Sequence, residues 1–283
     1  MLEVFKNRLR KIPGLVPAVR QSRAKRDSFL LTSLERHISA RTNYEILIVF
    51  GMRRSGNHAA INWILGQTDG PAVFFNNINP ALAPYTARTS EYRLRVKGKR
   101  PRIILSYEDV ALEEILDGPV RKYIDDRQHA PVRFALILHD PYNLFASRLK
   151  KWPGRFATHD QIQRQVDLYL QFAALAKNSA LLKAPGLLIP VVYNQLISNA
   201  ADRDSFSDKL GIRRGSRGLD QVPLYGYGSS FNGTDIQASN LRKQVFERWK
   251  AAKDDPIFRQ IVSNPDVRQV GQELFDMEPP KLS

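Results

Sequence analysis

The 283-residue chain contains no cysteine. That excludes disulfides, thiol nucleophiles and cysteine-ligated zinc or iron–sulfur centres, and it fits a reducing compartment. A cytoplasmic protein is expected. The chain also lacks any uninterrupted run of about 18 apolar residues, so no transmembrane helix is expected. Its first sixteen residues carry Glu3 and Lys6 early and no continuous apolar stretch, unlike a secretory signal. Acidic residues are scarce: 28 Asp and Glu face 43 Lys and Arg, a formal net charge of +15. Such a field attracts anions, whether nucleotides, nucleic acid, anionic lipid or acidic glycans; the alternative is a basic, soluble surface with no such partner.

The residues that are present describe a globular chain: 43% are hydrophobic and 25% charged. No repeat, low-complexity tract or linker divides it. The expected organisation is a basic N-terminal arm over residues 1–43 and a single α/β domain over 44–283. The arm holds ten Lys and Arg against three acidic residues. Within it Leu2, Phe5, Leu9 and Ile12 recur at helical spacing among Lys6, Arg8, Arg10 and Lys11. Such a helix either packs on the domain with its basic face solvated or lies on a membrane surface.

Short Ile- and Val-rich runs predict buried strands over 45–50, 72–75, 102–107, 132–138 and 187–192, the last weakened by Pro190. Helical spacing predicts helices over 57–65 with Gly66 as the stop, and over 110–116, 142–152, 161–182, 200–210, 240–252 and 256–275. Residues 76–99 fit no element. Strands alternating with helices predict a three-layer α/β/α fold with a central parallel sheet.

The first strand runs into Gly51-Met52-Arg53-Arg54-Ser55-Gly56-Asn57-His58, a turn before a helix. Gly51 and Gly56 match the G-x-x-x-x-G spacing of a phosphate-binding loop. In such a loop glycines permit a tight turn, amide N–H groups face the ligand, and the helix N-terminus adds positive potential. The lysine and the magnesium-ligating hydroxyl that follow in nucleotide triphosphatases are replaced by Asn57 and His58, while Arg53 and Arg54 supply charge earlier. The loop therefore suits a transferring group of low charge held without Mg²⁺. A sulfonate carries about one negative charge, whereas a terminal phosphoryl group approaches two. The other reading of the segment is an incidental strand–helix turn.

Arg54-Ser55-Gly56-Asn57-His58, with Trp63 downstream, resembles the 5′-phosphosulfate loop of sulfotransferases that use 3′-phosphoadenosine 5′-phosphosulfate. His139-Asp140-Pro141, with Ser147 eight residues after His139, resembles the 3′-phosphate motif of that family, with histidine where arginine is usual. Arg148 is placed to compensate. Asp140 and Pro141 read more simply as the cap and first residue of a helix. Val192-Tyr193-Asn194-Gln195-Leu196 is similar to a Tyr-Glu-Asp-Leu stretch of the family, without its acids. Gly228–Gly233, followed by Glu247-Arg248-Trp249, is similar to the segment that closes over the nucleotide.

The resemblance runs from about residue 45 to 249 and implies a sulfotransferase. In it Arg53, Arg54, Ser55, Gly56, Asn57, His58, His139, Ser147, Ser229, Ser230 and Asn232 hold the nucleotide, and no metal takes part. The acceptor is a hydroxyl or amine on a glycan, lipid or small molecule, with no nucleic-acid partner. Arg54 and His58 serve at the transferring group. The general base falls at the end of the third predicted strand, where Glu108 and Asp109 are the candidates; Glu108 is the choice, and Asp109 instead caps the next helix. Two other functions remain: a kinase or nucleotide hydrolase of the phosphate-loop type, and a non-catalytic polyanion-binding protein.

Overall fold

The computed structural model describes residues 33, 38, 40, 43–84, 89–93, 101–182, 186–219 and 245–280. Nearly all of the N-terminal arm and the expected contacts Ser229, Ser230 and Asn232 lie outside them. Six strands, β1 (Glu45–Gly51), β2 (Ala72–Phe75), β3 (Thr89–Arg93), β4 (Arg102–Glu108), β5 (Val132–Leu138) and β6 (Leu187–Val192), form one sheet in the order β3-β2-β4-β1-β5-β6. β2, β4, β1, β5 and β6 are parallel; β3 joins β2 antiparallel at one edge.

Alternation along the central strands sorts the side chains into two cores. Ile46, Ile48 and Phe50 of β1 lie in one core with Ile103, Leu105, Phe134 and Leu136. Leu47 and Val49 lie in the other with Ile104, Ala135 and Ile137. Successive strand residues point to opposite faces, so a strand covered on both sides is apolar along most of its length. Each such side chain contributes about 1.5–3 kcal/mol when fully buried.

Helices α1 (Asn57–Gln67), α6 (Tyr193–Ser198) and α7 (Ala200–Leu210) cover the second face. The first is covered by α2 (Leu112–Asp117), α3 (Pro119–Asp125), α4 (Pro141–Lys151), α5 (His159–Lys177), α8 (Pro256–Ser263) and α9 (Pro265–Phe275). This is the three-layer α/β/α arrangement expected from the sequence.

Several local expectations shift. Helix α1 passes through Gly66 to Gln67, because that glycine faces the carbonyl of Arg217, which a Cβ would meet at 2.3 Å. The predicted final helix is two helices: Asn264 caps α9 through the amides of Asp266 and Val267, and Pro265 begins it. Pro190 is tolerated because β6 is an edge strand, which needs backbone donors on one side only. At the N-terminal end of the sheet Glu45 is buried against Arg102 and Arg133. That leaves the C-terminal ends of the strands, where parallel sheets bind ligands, for the site.

Candidate functional site

The glycine-bounded loop lies at the C-terminal end of β1, between β4 and β5. Gly51 pairs in register with Glu108 on one side and Ile137 on the other. The chain then turns on Arg54, at φ 76°, and enters α1 through Gly56, at φ 94°. The ring of Tyr193 lies over Gly56 so closely that a Cβ there would meet it at 2.5 Å.

Some of the loop's polar groups brace the turn itself. The Ser55 amide donates to Met52 O at 3.1 Å and the Ser55 hydroxyl to the same oxygen at 2.7 Å. The Arg53 amide donates to Asp109 Oδ1 at 2.9 Å. These amides are spent because a six-residue turn with a non-glycine residue at positive φ needs internal support. The amides of Gly56 and Asn57 make no hydrogen bond to any described residue. They are the unsatisfied donors that every helix N-terminus leaves.

Side chains from four elements meet the loop. Arg54 Nε donates to Ser147 Oγ on α4 at 3.3 Å, which links the two segments that the sequence offered as separate anion sites. Burial, followed by the charge of Arg248, pushes the Arg54 guanidinium down to about 10, with Glu108 working the other way. It remains cationic at neutral pH. Asn57 Nδ2 donates to Glu108 Oε1 at 3.0 Å and to Met52 O at 3.2 Å. Glu108 Oε2 lies 3.5 Å from Arg53 Nε, and Arg53 Nη2 donates to Asn77 Oδ1 at 3.0 Å. His58 Nε2 pairs with Asn76 Oδ1 at 3.1 Å, and Ser106 Oγ donates to that same oxygen at 3.2 Å. His58 is thereby tied to the ends of β2 and β4.

His139 follows β5 and is completely buried. Neither ring nitrogen has a hydrogen-bond partner among the described residues. Burial pushes its imidazole down to about 4; Asp140 opposes the shift and Arg248 adds to it. At neutral pH it is an uncharged ring beside that of Tyr193, 5.3 Å away between centroids. Asp140 is the helix cap expected, accepting from the amide of Asn143 at 2.9 Å. Asn194 accepts from the Asp140 amide at 3.1 Å and donates to its carboxylate at 2.9 Å. An amide there takes the place of the acidic pair with a bond that needs no charge.

Arg148 does not compensate for His139. Its guanidinium, fully buried, donates to Asp109 Oδ1 at 2.6 Å and to Arg53 O at 2.9 Å, and reaches Gln165. Asp109 is not a helix cap either: α2 starts after Ala111, and the carboxylate also accepts from Arg155 at 2.6 Å. Burial alone would raise Asp109; Arg148, the Arg53 amide and Arg155 outweigh it and hold the carboxyl below its ordinary value. The cation beside His139 is Arg248, just after Val245 and Phe246, whose charge acts on Arg54, His139, Asp140 and Tyr193. Its turn is pinned to α4 by the Trp249 amide, which donates to Asn143 Oδ1 at 3.2 Å. The resemblance marks Glu247-Arg248-Trp249 as part of a segment near the nucleotide, but its pairing with His139 is not legible in sequence, because Arg248 lies far along the chain from α4.

On the far side of the loop, α1 holds residues 215–218. Asn62 Nδ2 donates to Gly218 O at 2.6 Å, Trp63 Nε1 to Gly215 O at 2.8 Å, and Gln67 Nε2 to Arg217 O at 2.8 Å. A separate cleft lined by Ile124, Asp125, Arg127, Gln128, Ala130, Val132 and Gly186 lies by the start of β5, at the opposite end of the strands.

No protein-family model matches the chain, and no curated protein does. Among solved structures, a sulfotransferase domain from the curacin biosynthetic pathway is 12% identical and superposes with a TM-score of 0.43. That match covers 84% of this chain and 99% of the other. The mouse sulfotransferase SULT7A1, solved in complex with PAP, is 12% identical with a TM-score of 0.37, covering 83% and 93%. Likeness at this level assigns neither family nor activity.

Proposed function

We propose that the chain is a sulfotransferase that moves the sulfonate of 3′-phosphoadenosine 5′-phosphosulfate to an acceptor hydroxyl or amine. One observation carries the reading: the amides of Gly56 and Asn57, without a hydrogen-bond partner among the described residues, share one loop with the Arg54 guanidinium, and Asn57 ties the Glu108 carboxylate to it. Position 57 holds an amide committed to Glu108 in place of the phosphate-loop lysine, and position 58 holds a histidine in place of the Mg²⁺-binding hydroxyl. An anion can be bound there and a proton accepted beside it, while the Ser55 hydroxyl donates to Met52 O at 2.7 Å within the turn and position 58 lacks the hydroxyl that holds the divalent ion of phosphoryl transfer.

In the proposed reaction the acceptor oxygen or nitrogen attacks sulfur as its proton passes to Glu108. The sulfur–oxygen bond to the 5′-phosphate breaks, and that oxygen takes the electron pair. Arg54 and the N-terminus of α1 stabilise the charge that develops there, fixed dipoles and a partly desolvated cation being worth more than they are in water. Asn57 holds the carboxylate toward the loop. The second phosphate of the donor falls at Ser147, neutral His139 and Arg248. His139 supplies a hydrogen bond and Arg248 the charge. The acceptor belongs to a glycan, a lipid or a small molecule.

Titration calorimetry with adenosine 3′,5′-bisphosphate in chelator tests the reading. Micromolar binding without divalent ions is expected, followed by transfer of labelled sulfonate onto an acceptor panel. Binding of ATP that requires Mg²⁺, with none of the bisphosphate, would replace this reading with the kinase or hydrolase one.

A further inference from the structure

The Asp109–Arg148 pair grips one residue of the loop from both ends. Asp109 Oδ1 accepts the Arg53 amide at 2.9 Å, Arg148 Nη1 donates to the Arg53 carbonyl at 2.9 Å, and the two side chains bond each other at 2.6 Å. The next residue, Arg54, holds φ 76°, where a side chain other than glycine's is strained. Asp109 is itself at φ 59°, and its amide donates to Gly51 O at 3.1 Å. The turn after β4 is thus strapped to the turn after β1 at both ends of the loop's first half. Arg155 closes the far side of Asp109, and Trp152 lies under it, 5.2 Å from guanidinium carbon to ring centre. A carboxylate only 12% exposed and held between two arginines has no need of ligand to satisfy it, so the clamp is complete before anything binds.

We infer that Asp109 is a positioning residue, which with Arg148 preforms the loop around Arg54 and sets the place of the neighbouring Glu108. Its effect on turnover rests on the sulfotransferase reading; its effect on loop shape does not. Without the clamp Arg54 relaxes from positive φ, and a bound anion must restore the strained form at its own expense. Affinity for adenosine 3′,5′-bisphosphate falls roughly tenfold, equivalent to about 1.4 kcal/mol. Displacement of Glu108 adds to this, because a misplacement near 1 Å costs on the order of 100-fold in rate.

The test compares wild type, Asp109→Ala, Asp109→Asn and Ile48→Val, the last a mild destabilisation of the core under β1 that leaves the clamp residues in place. Hydrogen–deuterium exchange of the peptide spanning residues 52–57 is read first. It is expected to accelerate at least about tenfold in Asp109→Ala relative to the rest of the sheet, and not in Ile48→Val. Asp109→Asn, which keeps an acceptor for the Arg53 amide, falls between, and it carries the test if Asp109→Ala does not fold. Unchanged local exchange and unchanged bisphosphate affinity in a folded Asp109 variant would overturn the inference. A wild type that binds no bisphosphate, with loop exchange still sensitive to Asp109, would sink the sulfotransferase reading and leave the clamp standing.

Discussion

Replacing Gly56 by alanine puts one methyl group into the most crowded point of the site. The backbone there has φ 94°, and the new Cβ would stand 2.5 Å from Tyr193 Cδ2 and 2.6 Å from Cε2 and Cγ. Carbon atoms in contact prefer about 3.5–4.0 Å, so the ring must retreat by about 1 Å. It has little room: Tyr193 is only 7% exposed and the buried His139 ring lies beside it. The left-handed backbone costs about 1–2 kcal/mol for a residue with a Cβ, and forcing a methyl into a packed site about 1–3 kcal/mol. Gly56→Ala is therefore expected to lose about 2–5 kcal/mol. With a urea m-value of about 2 kcal/mol/M, the unfolding midpoint falls by roughly 1–2.5 M at unchanged slope. A double-mutant cycle with Tyr193→Ala separates the two causes, since truncating the ring relieves the clash and leaves the backbone strain. A folded Gly56→Ala protein with the wild-type midpoint would refute the close approach of ring and loop, and with it the geometry of the site.

Three further substitutions probe the chemistry. Arg54→Ala removes the cation of the loop and is expected to weaken bisphosphate binding at least about tenfold by calorimetry, in line with about 1.5–3 kcal/mol for a charge-assisted hydrogen bond; unchanged affinity would contradict the loop's role. Glu108→Gln should lower turnover by about 10²–10⁴-fold, the usual contribution of a general base, with bisphosphate affinity retained; full activity would remove Glu108 as the base. His139→Gln tests the buried imidazole through pH. Its folded pKa of about 4 lies below the unfolded value of 6.5, so as pH falls from 6.5 towards 4 the unfolded chain binds the extra proton and stability drops. The wild type should lose about 3 kcal/mol more than His139→Gln between pH 7 and 4 in urea melts; parallel losses would mean that the ring is not held neutral.

The parallel strands were legible because burial on both faces demands apolar residues at most positions, so each carries a short apolar run: the strand over 132–138 has the predicted bounds despite Arg133 near its start. The glycine pair and the arginines marked the loop for the same reason, a local chemistry that spacing exposes. What escaped was non-local or partnered. Strand β3, Thr-Ser-Glu-Tyr-Arg, is a polar antiparallel edge and has no apolar run to announce it. Arg148 sits in Ser-Arg-Leu-Lys-Lys, which reads as the basic last turn of a helix; that it is buried 39 residues from its carboxylate partner is a fact of three dimensions. In sequence Glu108 and Asp109 were both candidates for the base, with Glu108 preferred and Asp109 also readable as a helix cap. The fold divides them: one is locked between arginines, while the other keeps a single amide donor and faces Arg53 across 3.5 Å. Helix α5 could have been started correctly, since Thr158 and Gln161 form a reciprocal cap that its first residues spell out.

The contacts of α1 with residues 215–218 have an evolutionary consequence. Asn62, Trp63 and Gln67 all donate to main-chain carbonyls, which every amino acid carries, so the held segment can exchange most of its side chains without losing an anchor. What cannot drift are the spots where backbones nearly touch: Gly66 against the carbonyl of Arg217, and Gly218 against that of Asn62. Distant relatives that have shed every recognisable word of sequence around this helix should still betray the shared ancestry by two glycines and three amide or indole donors at these intervals.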